Sequence, residues 1–282
     1  MRLLLFSLFI SSLILVYACK KFKAAPEAFF IQPGNIKINV TTKQGSSSHK
    51  ITDLWVYVNG LFKGVYPFEN KIPIVSSGKK VRIDVYAGIK NNGISNTRLN
   101  WLLYDKIEFD TLVENGATIS RDFTFSYLSN TTFKFLENFD NQGQSFIRSS
   151  NSAASTVSLQ LASSSESFDG KYLELKIMNG GDYAQIETYN YYEMPLANSN
   201  VYLELNYKCN NPFSVALIGD NGQLKDVFDF NTQTNWNKAY IQLAEVVNSA
   251  PATSNYKLCF FMAKTVSDEP RLLLDNLKIV YL

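Results

Sequence analysis

From residue 35 onward the chain is dominated by short runs in which apolar and polar residues alternate. A period of two belongs to a β-strand with one buried face. Ile36-Lys37-Ile38-Asn39-Val40 is a clear first case. Runs at 54–58 and 61–65 flank Asn59-Gly60, a pair that accepts the positive φ angles of a tight hairpin turn. Further strands are predicted at 72–75, 80–87, 106–113 and 119–127, with Asn115-Gly116 as another turn. After a break near residue 130 the pattern resumes at 133–139, 172–177, 183–188, 201–209, 213–218, 239–243, 256–263 and 271–282. No helix of useful length shows a 3.6-residue period. The expected fold is all-β, with two β-sandwich domains at 35–128 and 132–282.

The first eighteen residues have a different pattern. Arg2 gives a positive start, and Leu3 to Val16 is an apolar run broken only by Ser. It is too short to span a bilayer comfortably and reads as a secretory leader. Val16-Tyr17-Ala18-Cys19 resembles the lipobox of bacterial lipoproteins. That resemblance implies cleavage after Ala18 and lipidation of Cys19; an ordinary leader cut near Ala18 is the alternative. Lys20-Lys21 looks like the start of Bacteroidota lipoproteins. The implied location is the outer membrane, held by the lipid anchor, with the cell surface as the expected side and the periplasmic face left open. Residues 19–34, with Ala24-Ala25-Pro26 and Pro33-Gly34, read as a tether.

Composition narrows the picture. The 282 residues are 46% hydrophobic and 14% aromatic, enough for two cores. Charged residues are 18% and the net charge is +2, which argues against nucleic acid as a partner. Besides Cys19, the chain has Cys209 and Cys259, both in strand-like runs. They form either a disulfide between neighbouring strands or two buried thiols. His49 is the single histidine and lies in a Ser-rich loop, so a Ser-His-Asp system would have to use it. No phosphate-binding Gly-rich loop occurs. A glycosidase needs only two carboxylates and is not excluded by composition.

Two longer resemblances follow. Val56-Tyr57-Val58-Asn59-Gly60-Leu61-Phe62-Lys63-Gly64-Val65, then Ile72-Pro73-Ile74 and Lys80-Val81-Arg82-Ile83, resemble a PEGA-type β-sandwich, a small non-catalytic module. Phe135-Leu136-Glu137-Asn138-Phe139-Asp140, Ser167-Phe168-Asp169-Gly170-Lys171-Tyr172 and Leu274-Asp275-Asn276-Leu277 resemble jelly rolls of the carbohydrate-binding-module and galactose-binding-like type. In strict alternation Glu137 falls in phase with Phe133, Phe135 and Phe139, and Asp275 with Leu273, Leu277 and Ile279. A carboxylate on a buried face needs neutralising. The jelly-roll resemblance implies a structural calcium held by Glu137, a carbonyl of Gly170 or Lys171, and Asp275, with Asp140 and Asp169 in reserve. A Lys or Arg partner, or a bulge that resets the phase, would also answer the need.

Two rows can make a ligand face: Tyr183, Gln185, Glu187 and Tyr189 in one, Trp236 and Tyr240 in the other. Flat rings and amide or acid groups suit a glycan; covering a sheet or docking the other domain is the plainer use. The expectation is a non-catalytic, lipid-anchored accessory or assembly subunit that contacts an envelope protein. The alternative is a surface glycan-binding protein, and a hydrolase comes third.

Overall fold

The computed structural model describes residues 28–76, 80–112, 114–141, 145–154, 156–178, 180–196, 200–249 and 255–282. The leader and Cys19 lie outside them, so the lipidation reading is not addressed by the fold.

The first sandwich is built from β1 (Ala28–Asn39), β2 (Asp53–Val58), β3 (Leu61–Pro67), β4 (Ile72–Val75), β5 (Lys80–Lys90), β6 (Arg98–Asn100), β7 (Ile107–Leu112) and β8 (Thr118–Ser126). One sheet runs β4-β1-β8, with β1 and β8 parallel. The other runs β3-β2-β5, and β6 and β7 share the far edge of β5. Alternation is obeyed closely: Phe29, Ile31, Leu54, Val56, Ile83, Val85, Phe123 and Phe125 fill the core between the sheets. Asn59 and Gly60 take φ of 51° and 78°, the left-handed pair that the β2–β3 hairpin was expected to need. One boundary differs from expectation. β1 begins at Ala28, so residues 28–34 are paired strand rather than tether, and Phe29 and Ile31 are fully buried. Pro33-Gly34 marks a break in register instead of a linker.

The second sandwich contains β9 (Thr132–Glu137), β10 (Phe146–Arg148), β11 (Val157–Ala162), β12 (Tyr172–Ile177), β13 (Tyr183–Thr188), β14 (Tyr192–Glu193), β15 (Tyr202–Cys209), β16 (Phe213–Gly219), β17 (Leu224–Phe230), β18 (Gln233–Gln242), β19 (Asn255–Ala263) and β20 (Arg271–Tyr281). A short helix, α1 (Ala244–Ser249), links β18 to β19. The strands form two antiparallel sheets in jelly-roll order: β11-β12-β20-β15-β18, and β10-β13-β19-β16-β17. Leu173, Leu203, Leu274, Ile186, Leu217 and Phe260 pack between them.

The first of these two sheets is covered on its outer face by the first sandwich. Tyr202, Tyr240 and Val280 join the first sandwich's core. Trp101 wedges between Tyr202 and Tyr240, with ring centroids 4.6 and 4.8 Å away. The turn after β5 grips β18: Asn92 N–H donates to Tyr240 O at 2.9 Å, and Gln242 N–H donates to Asn92 Oδ1 at 2.9 Å. A buried charge network lies behind these contacts. Lys238 Nζ stands 2.9 Å from Glu204 Oε2, close enough to pair charges though off the line of a well-formed hydrogen bond. Tyr127 of the first sandwich donates its hydroxyl proton to Glu204 Oε1 at 2.7 Å. Lys278 donates to Tyr127 Oη at 3.2 Å and to Ser46 O at 2.6 Å. We call this sheet the docked sheet and its partner the open sheet.

Candidate functional site

The two in-phase carboxylates resolve differently. The edge of β20 is shared: β12 pairs with its start, up to Leu274, and β9 with its end, from Leu277. Asp275-Asn276 falls at the handover. Asn276 adopts φ of 51°, and the pairing with β15 shifts there. This bulge resets the alternation, so Leu272, Leu274, Leu277 and Ile279 all face the core while Asp275 lies across from Asn206 on the outer side. Asp275 is nevertheless fully buried. Its Oδ1 accepts from Asn276 N–H at 2.6 Å and its Oδ2 from Asp169 N–H at 3.3 Å. Burial, together with the charges of Asp140 and Asp169, pushes its carboxyl up to about 7. Beside it Asn206 Oδ1 is a buried acceptor without a donor.

Glu137 lies apart from this. Its carboxylate accepts from Phe139 N–H at 2.8 Å and from the Ser145 hydroxyl. Phe139, at φ of 59°, turns back into the core just after the strand. Asp140 replaces Glu137 as the neighbour of the Gly170-Lys171 segment, accepting from Lys171 N–H at 2.8 Å. Among the described residues no group of three His, Cys, Asp or Glu closes on one point. Any cation here would therefore rely on Asp275 and on amide or carbonyl oxygens.

The predicted ligand face divides between sheets. Tyr183, Gln185 and Glu187 project from β13 onto the outer face of the open sheet, and Tyr189 stands beyond its end, 67% exposed. Across this face run Lys257, Cys259 and Phe261 of β19 and Ser214, Ala216 and Ile218 of β16. Cys259, Ala216 and Gln185 are buried at the centre of this face, so the groups around them meet solvent. Glu187 pairs with Lys257 at 2.7 Å, and the Lys257 ammonium lies 5.2 Å from the Tyr191 ring centre. Gln185 is buried, its Oε1 accepting from the Tyr183 hydroxyl at 2.8 Å and from Asn151 at 3.3 Å. Phe261, Lys257 and Tyr191 belong to this face and were not singled out in the sequence. Phe261 was legible as the outward position in the alternation of β19; Tyr191 sits in a turn and carried no periodic signal.

Trp236 and Tyr240 do not join that face. Both project from the docked sheet. Tyr240 is buried under the first sandwich, where its hydroxyl accepts from Lys50 N–H at 2.9 Å. Trp236 donates Nε1–H to Glu166 O at 2.5 Å and packs on Phe168 and Tyr172. Period-two phase places a side chain on a face but says nothing of what later covers that face.

Cys209 and Cys259 are both buried and free. Cys209 faces the core from the docked sheet, whereas Cys259 faces outward from the open sheet, so no bridge joins them. Burial pushes the first thiol up to about 11 and the second to about 12, which leaves both unreactive near neutrality. His49 is half-buried rather than exposed; its Nε2 lies 3.2 Å from Ile36 O, and desolvation lowers its pKa.

Neither a known protein family nor a curated protein matches the chain in sequence. Solved structures resemble part of it. One is the Clostridium thermocellum endo-1,4-β-D-xylanase 10B fragment of carbohydrate-binding module 22-1 with its GH10 module, complexed with xylohexaose: 10% identity, TM-score 0.38, over 52% of this chain and 28% of that one. A family 11 carbohydrate-binding module from Clostridium thermocellum, in complex with a β-1,3-1,4-mixed-linked tetrasaccharide, is 15% identical over 52% of this chain and 95% of its own, TM-score 0.36. A family 29 carbohydrate-binding module is 8% identical over 54% of this chain and 88% of its own, TM-score 0.35. At these TM-scores the likeness assigns no activity to this chain.

Proposed function

We propose that this protein is a non-catalytic glycan-binding protein whose binding face is the outer surface of the open sheet. The observation that carries the reading is which face remains free. The first sandwich occupies the outer face of the docked sheet, so the jelly roll has one broad sheet face left for a ligand. That face carries tyrosines for stacking on sugar CH groups and the Glu187–Lys257 pair for hydroxyls. A glycan array with the native protein and with Tyr183→Ala and Tyr189→Ala tests this. Binding should be seen and should weaken in both variants; an array blank for the native protein refutes it.

A structural calcium at Asp275 is part of the same proposal. A buried carboxylate with no cation partner, next to a donorless Asn206 oxygen, suits a hard cation with oxygen ligands. Asp275 and Asn206 would hold it, and its role would be to neutralise Asp275 at the split edge of β20. Lipid anchoring at Cys19 on the outer membrane is proposed on the strength of the leader's residues alone. The earlier reading of an assembly subunit keeps one observation in its favour. Leu61 and Phe62 stand 66% and 50% exposed at the β2–β3 hairpin, beside Trp55 and Tyr57, an apolar patch suited to an envelope protein.

A further inference from the structure

Between the two sandwiches, beside Tyr240, lies a cleft of about 270 Å³. Lys50, Thr52, Lys90 and Asn92 line it from the first sandwich; Tyr207, Phe230, Gln233 and Asn237 are among its walls in the second. The volume is below the ~300–1,000 Å³ usual for small-molecule pockets, which suits one sugar unit rather than a length of chain.

The charges in the cleft are unbalanced. Lys50, Lys90 and Lys238 line it against one acid, Asp229. Lys238 is already matched by Glu204, and Asp229 accepts the Ser214 hydroxyl at 2.5 Å. Among the described residues neither Lys50 nor Lys90 stands in an ion pair. The Lys50 ammonium donates to Asn237 Oδ1, whose amide in turn donates to Tyr207 Oη at 2.8 Å. Desolvation and the neighbouring Lys90 charge lower the pKa of Lys50. Two mutually repelling ammoniums without an acid partner, Lys50 exposed and Lys90 partly buried, make the concave site attractive to an anion, because a cleft lined by one sign of charge focuses its field.

The geometry points to a second binding site in this cleft for an acidic sugar, whose carboxylate sits between Lys50 and Lys90 while its ring lies among the amides and aromatic walls. The amides of Asn92, Gln233 and Asn237 suit sugar hydroxyls, and the partly buried ring of Phe228 suits a CH face, with Tyr207 and Phe230 packed behind it in the jelly-roll core. This site is separate from the open-sheet face and draws on both sandwiches.

Calorimetric titration of the full chain tests it with three probes: glucuronate, glucose as the neutral match, and inorganic sulfate as a bare anion. Glucuronate should bind, glucose and sulfate much more weakly. Lys90→Gln should weaken glucuronate by roughly tenfold or more, and Lys90→Glu should weaken it further. Lys90 lies at the rim, so both variants should fold, as a native melt would verify. Tyr189→Ala should leave glucuronate untouched, which separates this site's failure from that of the open-sheet face. The inference is overturned if native protein ignores glucuronate, if glucose or sulfate binds as tightly, or if Lys90→Gln binds as native.

Discussion

Asp275 is the residue on which local electrostatics bear most. Its folded-state pKa, about 7, lies above the ordinary 3.8, so the native state holds a proton that the unfolded chain releases. Its contribution to stability is therefore complete below about 3.8 and is lost as pH rises through about 7. In chelator, Asp275→Asn should be more stable than native protein at pH 8, and the difference should vanish near pH 4. With calcium present the order at pH 8 should invert, since the native carboxylate then has its counter-ion. Thermal melts at the two pH values, with and without calcium, check both; an order that calcium leaves unchanged retires the cation. Glu204 shows the opposite balance. Burial alone would raise its pKa, yet Lys238, Lys278 and the Tyr127 hydroxyl hold it below the usual range. Glu204→Gln leaves two buried ammoniums without an acid. We expect a loss of about 3–5 kcal/mol in denaturant unfolding.

At the scale of elements, bulges decide what alternation leaves open. The sequence pattern placed most of the central strands because their inward residues are large and regular, as in β12, β15 and β19. It passed over β11 and β17, where edge positions leave only part of each strand's apolar residues buried. It also misjudged two faces. A shift in the β9–β20 pairing sends Phe133 to the first sandwich's core and Phe135 to the jelly-roll core. The bulge at Asn276 takes Asp275 out of phase with Leu277. Both depend on which strand lies alongside, which no local period contains. The loop covering Asp275 is similarly constrained: Gly170 has φ of 56°, and a Cβ there would collide with the Asp140 carboxylate. Gly170→Ala should therefore cost more than about 1 kcal/mol and shift the melt downward. A melt equal to native would show that the loop yields freely.

For the whole molecule, the joint between the sandwiches matters most. It buries Trp101, Tyr202 and Tyr240 together with the Glu204–Lys238 pair, to which Tyr127 donates. Interfaces of this kind tie domains into one folding unit. The full chain should accordingly unfold in a single calorimetric transition, and Trp101→Ala should lower its stability by about 3–5 kcal/mol. Two well-separated transitions in the native protein would show instead that the sandwiches fold independently. The same joint closes the face bearing Tyr240 and leaves open the one bearing Tyr183 and Glu187, which is the geometry the proposed glycan face rests on.

The alternation of side chains, the Asn-Gly turns and the break near residue 130 by themselves determined an all-β chain of two sandwiches, because each of those signals is local and survives without its partners. Which carboxylate is buried, which aromatic row meets solvent and which lysines share one cleft were decided only by tertiary structure. Those outcomes arise from strand register and domain docking, which join residues as far apart as Lys50 and Asn237, and a local pattern holds no record of such pairings.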